Sequence, residues 1–196
     1  MNSFEAKQKL IDGNQRFINN QSLKAIFSPK QDNIKPQKPF AIVLGCSDSR
    51  VPIETIFDQS FGDLFIIRIA GNIVAPSQIG SIEFAVSLYQ TPIVVVLGHT
   101  HCGAVSEALN SYKNNTALSK GLNSITNRIK PVIKPLFNKT KNEGDLICEI
   151  ANANIKQSVE QLCNSSAILQ DNIKKGQLEI VGAKYFLDNG VVEFFN

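Results

Sequence analysis

The sequence predicts an α/β fold, with a mostly parallel central β-sheet flanked by helices, an N-terminal helical arm and a C-terminal strand hairpin. Short runs that are apolar on both faces occur at 40–44, 64–67, 93–97 and 178–181. Strands buried on both faces are typical of parallel sheets that helices cover. With 196 residues, 43% of them hydrophobic, the chain suits one domain with a substantial core.

The N-terminal segment predicts an amphipathic helix over 3–19, since Phe4, Leu10 and Phe17 recur at roughly helical spacing. Its apolar face can pack on this chain's own core or on a partner chain. Residues 20–39 are polar and contain prolines, which favours a connecting loop. We therefore divide the single domain into an arm and linker over 1–36 and an α/β part over 37–196.

The remaining elements follow from periodicity. Helical patterns at 78–89 and 104–112 come after the second and third strands, as parallel crossovers require. The polar stretch 113–144 predicts helix–loop–helix, and 145–170 predicts one long helix. The turn sequence Asp188-Asn189-Gly190 predicts a hairpin that pairs the tail, 191–195, with the strand near 178–187.

Composition excludes several classes of function. The net charge is only +3 and no dense block of Lys and Arg occurs, so we expect no nucleic acid partner. No apolar run approaches the ~18 residues of a membrane span, and no signal-peptide pattern opens the chain, so we expect a cytoplasmic protein without a membrane partner. Four cysteines are too few for a disulfide scaffold of this size.

Two polar segments follow buried strands and carry the chemistry. They are Gly45-Cys46-Ser47-Asp48-Ser49-Arg50, after the first strand, and Gly98-His99-Thr100-His101-Cys102-Gly103, after the third. Open α/β sheets place ligands at the carboxyl ends of their strands. Thiolate and imidazole suit Zn²⁺, and three protein ligands with a free fourth position make a catalytic site. Cys46 and Cys102 are candidate ligands, and spacing alone does not choose between His99 and His101 as the third.

The alternative interpretations are structural. A single cysteine after a strand is more often a core residue than a ligand, but two such segments after two different strands favour a metal site. Asp48 and Arg50 are two apart and can turn to the same side, where they form either an oriented bidentate pair or an ordinary loop salt bridge. Cys148 and Cys163 lie in a helical, apolar-patterned stretch, which predicts core packing for both.

The two segments also carry a resemblance. Cys46-x-Asp48-x-Arg50 followed by His99-x-x-Cys102-Gly103 resembles the signature pair of β-class carbonic anhydrases. The likeness is close over 35–110 and loose over the rest of the chain. Further matching segments are Gln37-Lys38-Pro39, Gly62-Asp63-Leu64-Phe65, Arg68, Ala70-Gly71-Asn72, Ser81-Ile82-Glu83-Phe84-Ala85-Val86 and Gly182-Ala183-Lys184-Tyr185.

The resemblance implies roles for individual residues. It makes Cys46, His99 and Cys102 the ligands of one zinc ion per chain, which assigns His99 over His101. It makes Asp48 and Arg50 a catalytic dyad, and in some members the aspartate itself closes onto zinc in an inactive state. It implies that Gln37, Phe65 and Gly103 bind substrate. His101 is a candidate proton carrier.

The implied activity is the reversible hydration of carbon dioxide to bicarbonate and a proton. The alternatives are hydrolysis of carbonyl sulfide or carbon disulfide on the same scaffold, and a non-catalytic zinc-binding protein. A cysteine-nucleophile phosphatase is disfavoured because its glycine-rich phosphate loop is missing. The resemblance also implies a homodimer or a dimer-based higher oligomer. Two departures stand out: Phe84 replaces a tyrosine frequent in plant-type members, and the chain lacks the tryptophan of the family's allosteric bicarbonate site.

Overall fold

A five-stranded sheet forms the centre of the protein, as seen in a computed structural model that describes residues 1–22, 36–137 and 142–195. The strand order is β2-β1-β3-β4-β5; β1 to β4 are parallel and β5 is antiparallel to β4. The predicted fold class is confirmed, including the C-terminal hairpin. The strands are β1 Ala41–Gly45, β2 Leu64–Arg68, β3 Ile93–His99, β4 Glu179–Tyr185 and β5 Val192–Phe194.

Seven α-helices are present in the described part of the chain, together with a 3₁₀ turn at Ala70–Asn72. Asn2 begins the first helix in a capping box, in which its side chain accepts from the Glu5 N–H and the Glu5 carboxylate accepts from the Asn2 N–H. None of these helices is both long and apolar enough to cross a membrane. The helices are α1 Ser3–Ile18, α2 Ile53–Ile56, α3 Pro76–Tyr89, α4 Gly103–Asn114, α5 Lys120–Ile133, α6 Glu143–Ser165 and α7 Ala167–Lys174.

The helices cover both faces of the sheet, as the continuously apolar strands require. Every residue of β1 and β3 is buried. On one face, α1 and α2 pack over Val43 and Val95; on the other, α3 and α6 pack over Leu44 and Val96. A third cluster, built from α4, α5 and α6, lies beyond the carboxyl ends of the strands and contains Cys46 and Cys102.

The N-terminal helix packs on its own chain. Ala6 and Leu10 are fully buried in the core cluster of the α1 face. Asn14 links α1 to distant segments: its Nδ2 donates to the carbonyls of Ile56 and Gly190, and its Oδ1 accepts from the Val192 N–H. The helix therefore holds the β4–β5 hairpin in place.

A close approach at Gly98 fixes the end of β3. A Cβ added to Gly98 would lie 2.6 Å from Ile155 Cδ1 of α6, so only glycine lets the helix approach this closely. Since Ile155 is fully buried, this contact holds α6 against the strand immediately before His99.

Two predictions of secondary structure need correction. The single helix expected over 145–170 is broken at Ser166, whose extended backbone ends α6 while its Oγ accepts from the Leu169 N–H and so begins α7. The helix–loop–helix expected over 113–144 contains one helix, α5, in its described part. Most of the loop expected over 20–39 falls on 23–35, outside the described residues, and the domain division at residue 36 stays a prediction.

The core packing predicted for the two cysteines of α6 is wrong for Cys148. This residue is exposed and Cys163 is half-buried. The buried stripe of α6 includes Leu146, Ile150 and Ile155, at helical spacing. Cys148 lies midway between the first two of these residues and so falls off the stripe.

Candidate metal centre

Three metal-binding side chains meet at the carboxyl ends of β1 and β3. Cys46 follows β1, His99 ends β3, and Cys102 immediately precedes α4. The chain pairs β1 with β2 on one side and with β3 on the other, so this is the point where the strand order reverses. All three side chains are buried, their donor atoms lie within 4.8 Å of one another, and the two Sγ atoms are 3.9 Å apart.

The imidazole of His99 is oriented to offer one nitrogen. Its Nδ1 lies 2.8 Å from the Thr100 carbonyl oxygen, which can only accept, so Nδ1 carries the proton. Its Nε2 is buried and has no hydrogen-bond partner in the described structure. A buried nitrogen with a free lone pair is costly unless something binds it, and a metal ion satisfies this requirement.

The two thiols share one negative charge. A hydrogen bond from Cys102, helped by the Gly71 N–H at 3.3 Å, lowers the pKa of the Cys46 thiol to about 4 against the opposing effect of burial. The same interaction, together with burial, raises the pKa of the Cys102 thiol far above its usual range. A divalent cation bound by both sulfurs displaces the remaining proton. Two thiolates and one imidazole with a fourth position open fit a catalytic zinc ion.

This shared proton predicts how zinc affinity depends on pH. Between about pH 7 and 8.5, Cys46 is already ionised and Cys102 is not, so each zinc ion that binds releases about one proton. The logarithm of the apparent association constant then rises by about one per pH unit. Competition with a chromophoric chelator across this range measures the slope. A slope near zero would contradict the charge distribution between the two thiols.

Asp48 and Arg50 form a bidentate pair beside the three ligands. Arg50 Nε donates to Asp48 Oδ1 at 2.9 Å, and Arg50 Nη2 donates to Oδ2 at 2.8 Å. This side-chain hydrogen bonding, helped by the Arg50 N–H, holds the pKa of the Asp48 carboxyl well below its usual range. Asp48 Oδ2 also lies 3.9 Å from His99 Nε2. The ionised carboxylate therefore lies at the edge of the metal centre, with both of its oxygens held by one guanidinium.

The sequence did not indicate that Arg68 holds this site together. Its Nε donates to the Cys46 carbonyl at 3.1 Å and its Nη2 donates to the Asp48 carbonyl at 2.6 Å. Arg68 is the last residue of β2 and pairs with Gly45, directly before Cys46. The register of parallel strands would have placed it there, because the carboxyl ends of neighbouring strands meet at one edge.

A second positioning contact comes from α6. Asn154 Nδ2 donates to the Gly71 carbonyl at 2.8 Å, and the N–H of the same glycine points at Cys46 Sγ. Gly71 adopts a positive φ of 71°, which favours glycine. Neither Gly71 nor Asn154 was predicted as a site residue, because their contributions depend on backbone geometry and on a long-range contact.

The other predicted residues divide into two groups. Gly103 begins α4 next to Cys102, and a Cβ built there meets nothing within 4 Å. His101 is exposed, in the left-handed region, between two metal-binding residues. Gln37 and Phe65 lie elsewhere: Gln37 precedes β1, and Phe65 pairs with Ile42, about 13 Å along the strand from Cys46. The structure does not bring these two side chains to the metal centre of their own chain.

Comparison with known proteins gives the family by sequence and the same fold by structure. The carbonic anhydrase family model matches residues 41–192. "Carbonic anhydrase 2" of Mycobacterium tuberculosis is 34% identical over 96% of this chain and 91% of its own length, and the carbonic anhydrase of Mycolicibacterium smegmatis is 35% identical over 98% and 93%. A solved structure of a tetrameric β-carbonic anhydrase from Sordaria macrospora superposes with a TM-score of 0.78 at 23% identity, covering 98% of each chain.

Proposed function

Because this chain belongs to the β-class carbonic anhydrase family, we propose specific roles for the residues around its metal centre. The chain is a zinc enzyme that interconverts carbon dioxide and bicarbonate, with one zinc ion held by Cys46, His99 and Cys102. The observation that carries the proposal is the bidentate Asp48–Arg50 pair 3.9 Å from the free nitrogen of His99.

Zinc held by these three residues supplies the Lewis acidity that makes water a nucleophile near neutral pH. The neighbouring residues orient the reaction. Asp48 accepts a hydrogen bond from the attacking water and so aims an oxygen lone pair at the carbon of the substrate. Arg50 keeps Asp48 ionised and prevents it from rotating, since both of its oxygens are held. Gly103 leaves the open space in which substrate approaches.

The protons produced by hydration must leave the site. His101 is exposed and lies between His99 and Cys102 in the chain, so we propose that it passes protons to solvent. Arg50 Nη2 donates to the backbone carbonyl of His101 at 3.2 Å. This bond fixes the loop and leaves the His101 imidazole unconstrained.

Gln37 and Phe65 are proposed to act on the metal centre of a second copy of the chain. Phe65 stacks with Phe84 and Tyr89 at centroid distances of 6.2 Å, and Gln37 Nε2 donates to the Tyr89 hydroxyl. Phe84 and Leu88 are 48% and 62% exposed beside β2, an edge strand of the sheet. An exposed apolar cluster along an edge strand is a surface that a partner covers.

Mixed oligomers test this proposal. One parent is Cys46→Ala, which lacks the metal. The other is the double variant Gln37→Ala/Phe65→Ala, which keeps the metal ligands. It should lose about tenfold in kcat/KM, because it removes one hydrogen bond and one apolar wall. If the two residues act across the interface, a mixed oligomer combines an intact metal centre with an intact wall. Co-purified mixtures should then exceed the mean activity of the two parents. Activity equal to that mean would place both residues in their own chain's site.

We further propose that the protein works in the cytoplasm. All four cysteines are free thiols in the structure, and the thiolate pair at the metal centre needs a reducing compartment to persist whenever zinc is absent.

A further inference from the structure

A second cavity, separate from the metal centre, lies between α6 and the carboxyl end of β4. Its volume is about 270 Å³. Thr100 and His101 form one wall, but none of the three metal-binding residues lines it. Ile147 and Ala151 give it an apolar side, and Cys148 and Lys184 contribute a thiol and an amine.

Lys184 is unusual among the lysines of this chain. Its neighbours Ala183 and Tyr185 face the α1 side of the sheet, so alternation along β4 turns Lys184 toward α6. It is only 6% exposed, and no carboxylate of the described residues pairs with its ammonium group. Buried lysines normally require a counter-charge.

The ammonium group is instead directed at sulfur. Lys184 Nζ lies 3.6 Å from Cys148 Sγ and 4.6 Å from the centroid of the Phe186 ring. Cys148 is exposed, so a reagent can reach its sulfur. A thiol beside a lysine in a partly exposed, electropositive setting is the environment in which cysteines act as nucleophiles.

The other non-ligand cysteine provides an internal contrast. Cys163 lies on the same helix, has no cationic partner among the described residues, and burial raises the pKa of its thiol. The two cysteines therefore share one helix and differ in exposure and in the charge beside the sulfur.

We propose that Cys148 is a covalent modification site for small, neutral α,β-unsaturated carbonyl compounds, with Lys184 as the proton donor. The neutral carbon chain of such a compound suits the apolar wall of Ile147 and Ala151, and a cavity of 270 Å³ has room for one small molecule. The buried ammonium offers both a positive charge for the developing enolate and a proton.

The reaction is a conjugate addition. Cys148 loses its proton to solvent, and its sulfur forms a bond to the β-carbon of the reagent. The π electrons of the C=C bond shift to the enolate, and the α-carbon takes a proton from the Lys184 ammonium. The amine then regains a proton from water, so the net change is addition of the thiol across the double bond.

The test uses the zinc-loaded enzyme, in which the metal protects Cys46 and Cys102. N-ethylmaleimide is the probe, and peptide mass spectrometry follows labelling at each cysteine over time. Cys148 should react about tenfold faster than Cys163. Lys184→Met should lower the rate of Cys148 labelling about tenfold and leave the rate of Cys163 labelling unchanged. Lys156→Met is the matched control and should change neither rate. It removes a lysine of α6 whose ammonium group lies over the Phe195 ring.

Greater exposure alone could make Cys148 faster than Cys163, and an unchanged rate in Lys184→Met would therefore overturn the proposal. A second measurement needs no variant, which matters if Lys184→Met fails to fold. Iodoacetamide alkylates by displacing iodide and needs no proton at carbon, whereas maleimide addition does. Relative to glutathione, wild-type Cys148 should favour maleimide over iodoacetamide by about tenfold, and equal preference would overturn the role of Lys184.

Discussion

Replacement of Cys46 by alanine is expected to abolish both zinc binding and carbon dioxide hydration. Cys46 carries the negative charge of the metal-free thiol pair, and its loss leaves one imidazole and one protonated thiol. Structural zinc sites are worth about 10–16 kcal/mol over four ligands, so one lost thiolate costs about 2.5–4 kcal/mol, or about a hundredfold to a thousandfold in affinity. Stopped-flow hydration near pH 8.5 should fall to the uncatalysed rate, and metal analysis should find no zinc.

Cys163→Ala is the matched control. It removes a half-buried cysteine of α6 that is not one of the three metal ligands. It should keep one zinc ion per chain and full activity. Circular dichroism of Cys46→Ala should match the wild type, since the smaller side chain only removes a sulfur from a site already bounded by Arg68 and Gly71. Retained hydration in Cys46→Ala would refute the assignment of this cysteine as a ligand.

Asp48→Asn is expected to keep zinc and lose most turnover. The amide has the shape of the carboxylate, but its nitrogen would face the Arg50 guanidinium, so the bidentate pair at 2.8–2.9 Å cannot form. The side chain loses its charge and one of its two oxygens, and with them its ability to orient the attacking water. Loss of such a group typically costs about 10²-fold or more in kcat. Stopped-flow kinetics of protein whose zinc content has been determined measure this loss of kcat.

Asp145→Asn is the control for this variant, since it neutralises an exposed carboxylate in the first turn of α6 that is neither a metal ligand nor a partner of Arg50. Its kcat should equal that of the wild type. If Asp48→Asn with a full complement of zinc also turned over at the wild-type rate, Asp48 would have no part in the mechanism.

The sheet and the metal ligands could be predicted from the sequence because both depend on local patterns. Runs such as 93–97 are apolar on both faces, and strands of this kind are typical of a parallel sheet that helices cover. The two cysteine ligands follow from the loops after β1 and β3, which are neighbouring strands, whereas the choice of His99 over His101 came from the family resemblance. The turn sequence Asn189-Gly190 likewise predicted the C-terminal hairpin.

Long-range contacts explain what the sequence did not predict. The break at Ser166 depends on a side chain that caps α7 and bonds to Glu83 on another helix, and no periodicity encodes that. The support that Arg68 gives to the Cys46 loop depends on strand register. Cys148 was misassigned because the 145–170 stretch has an apolar pattern, whereas the burial of each residue depends on which face of the helix it occupies.

The hydrogen bonds around Cys46 separate the shape of the ligand loops from the ligand atoms themselves. Arg50, Arg68 and Asn154 donate to the backbone carbonyls of His101, Cys46 and Gly71, and none of these bonds uses a donor atom of a metal ligand. A substitution that removes one ligand side chain therefore leaves all three bonds in place.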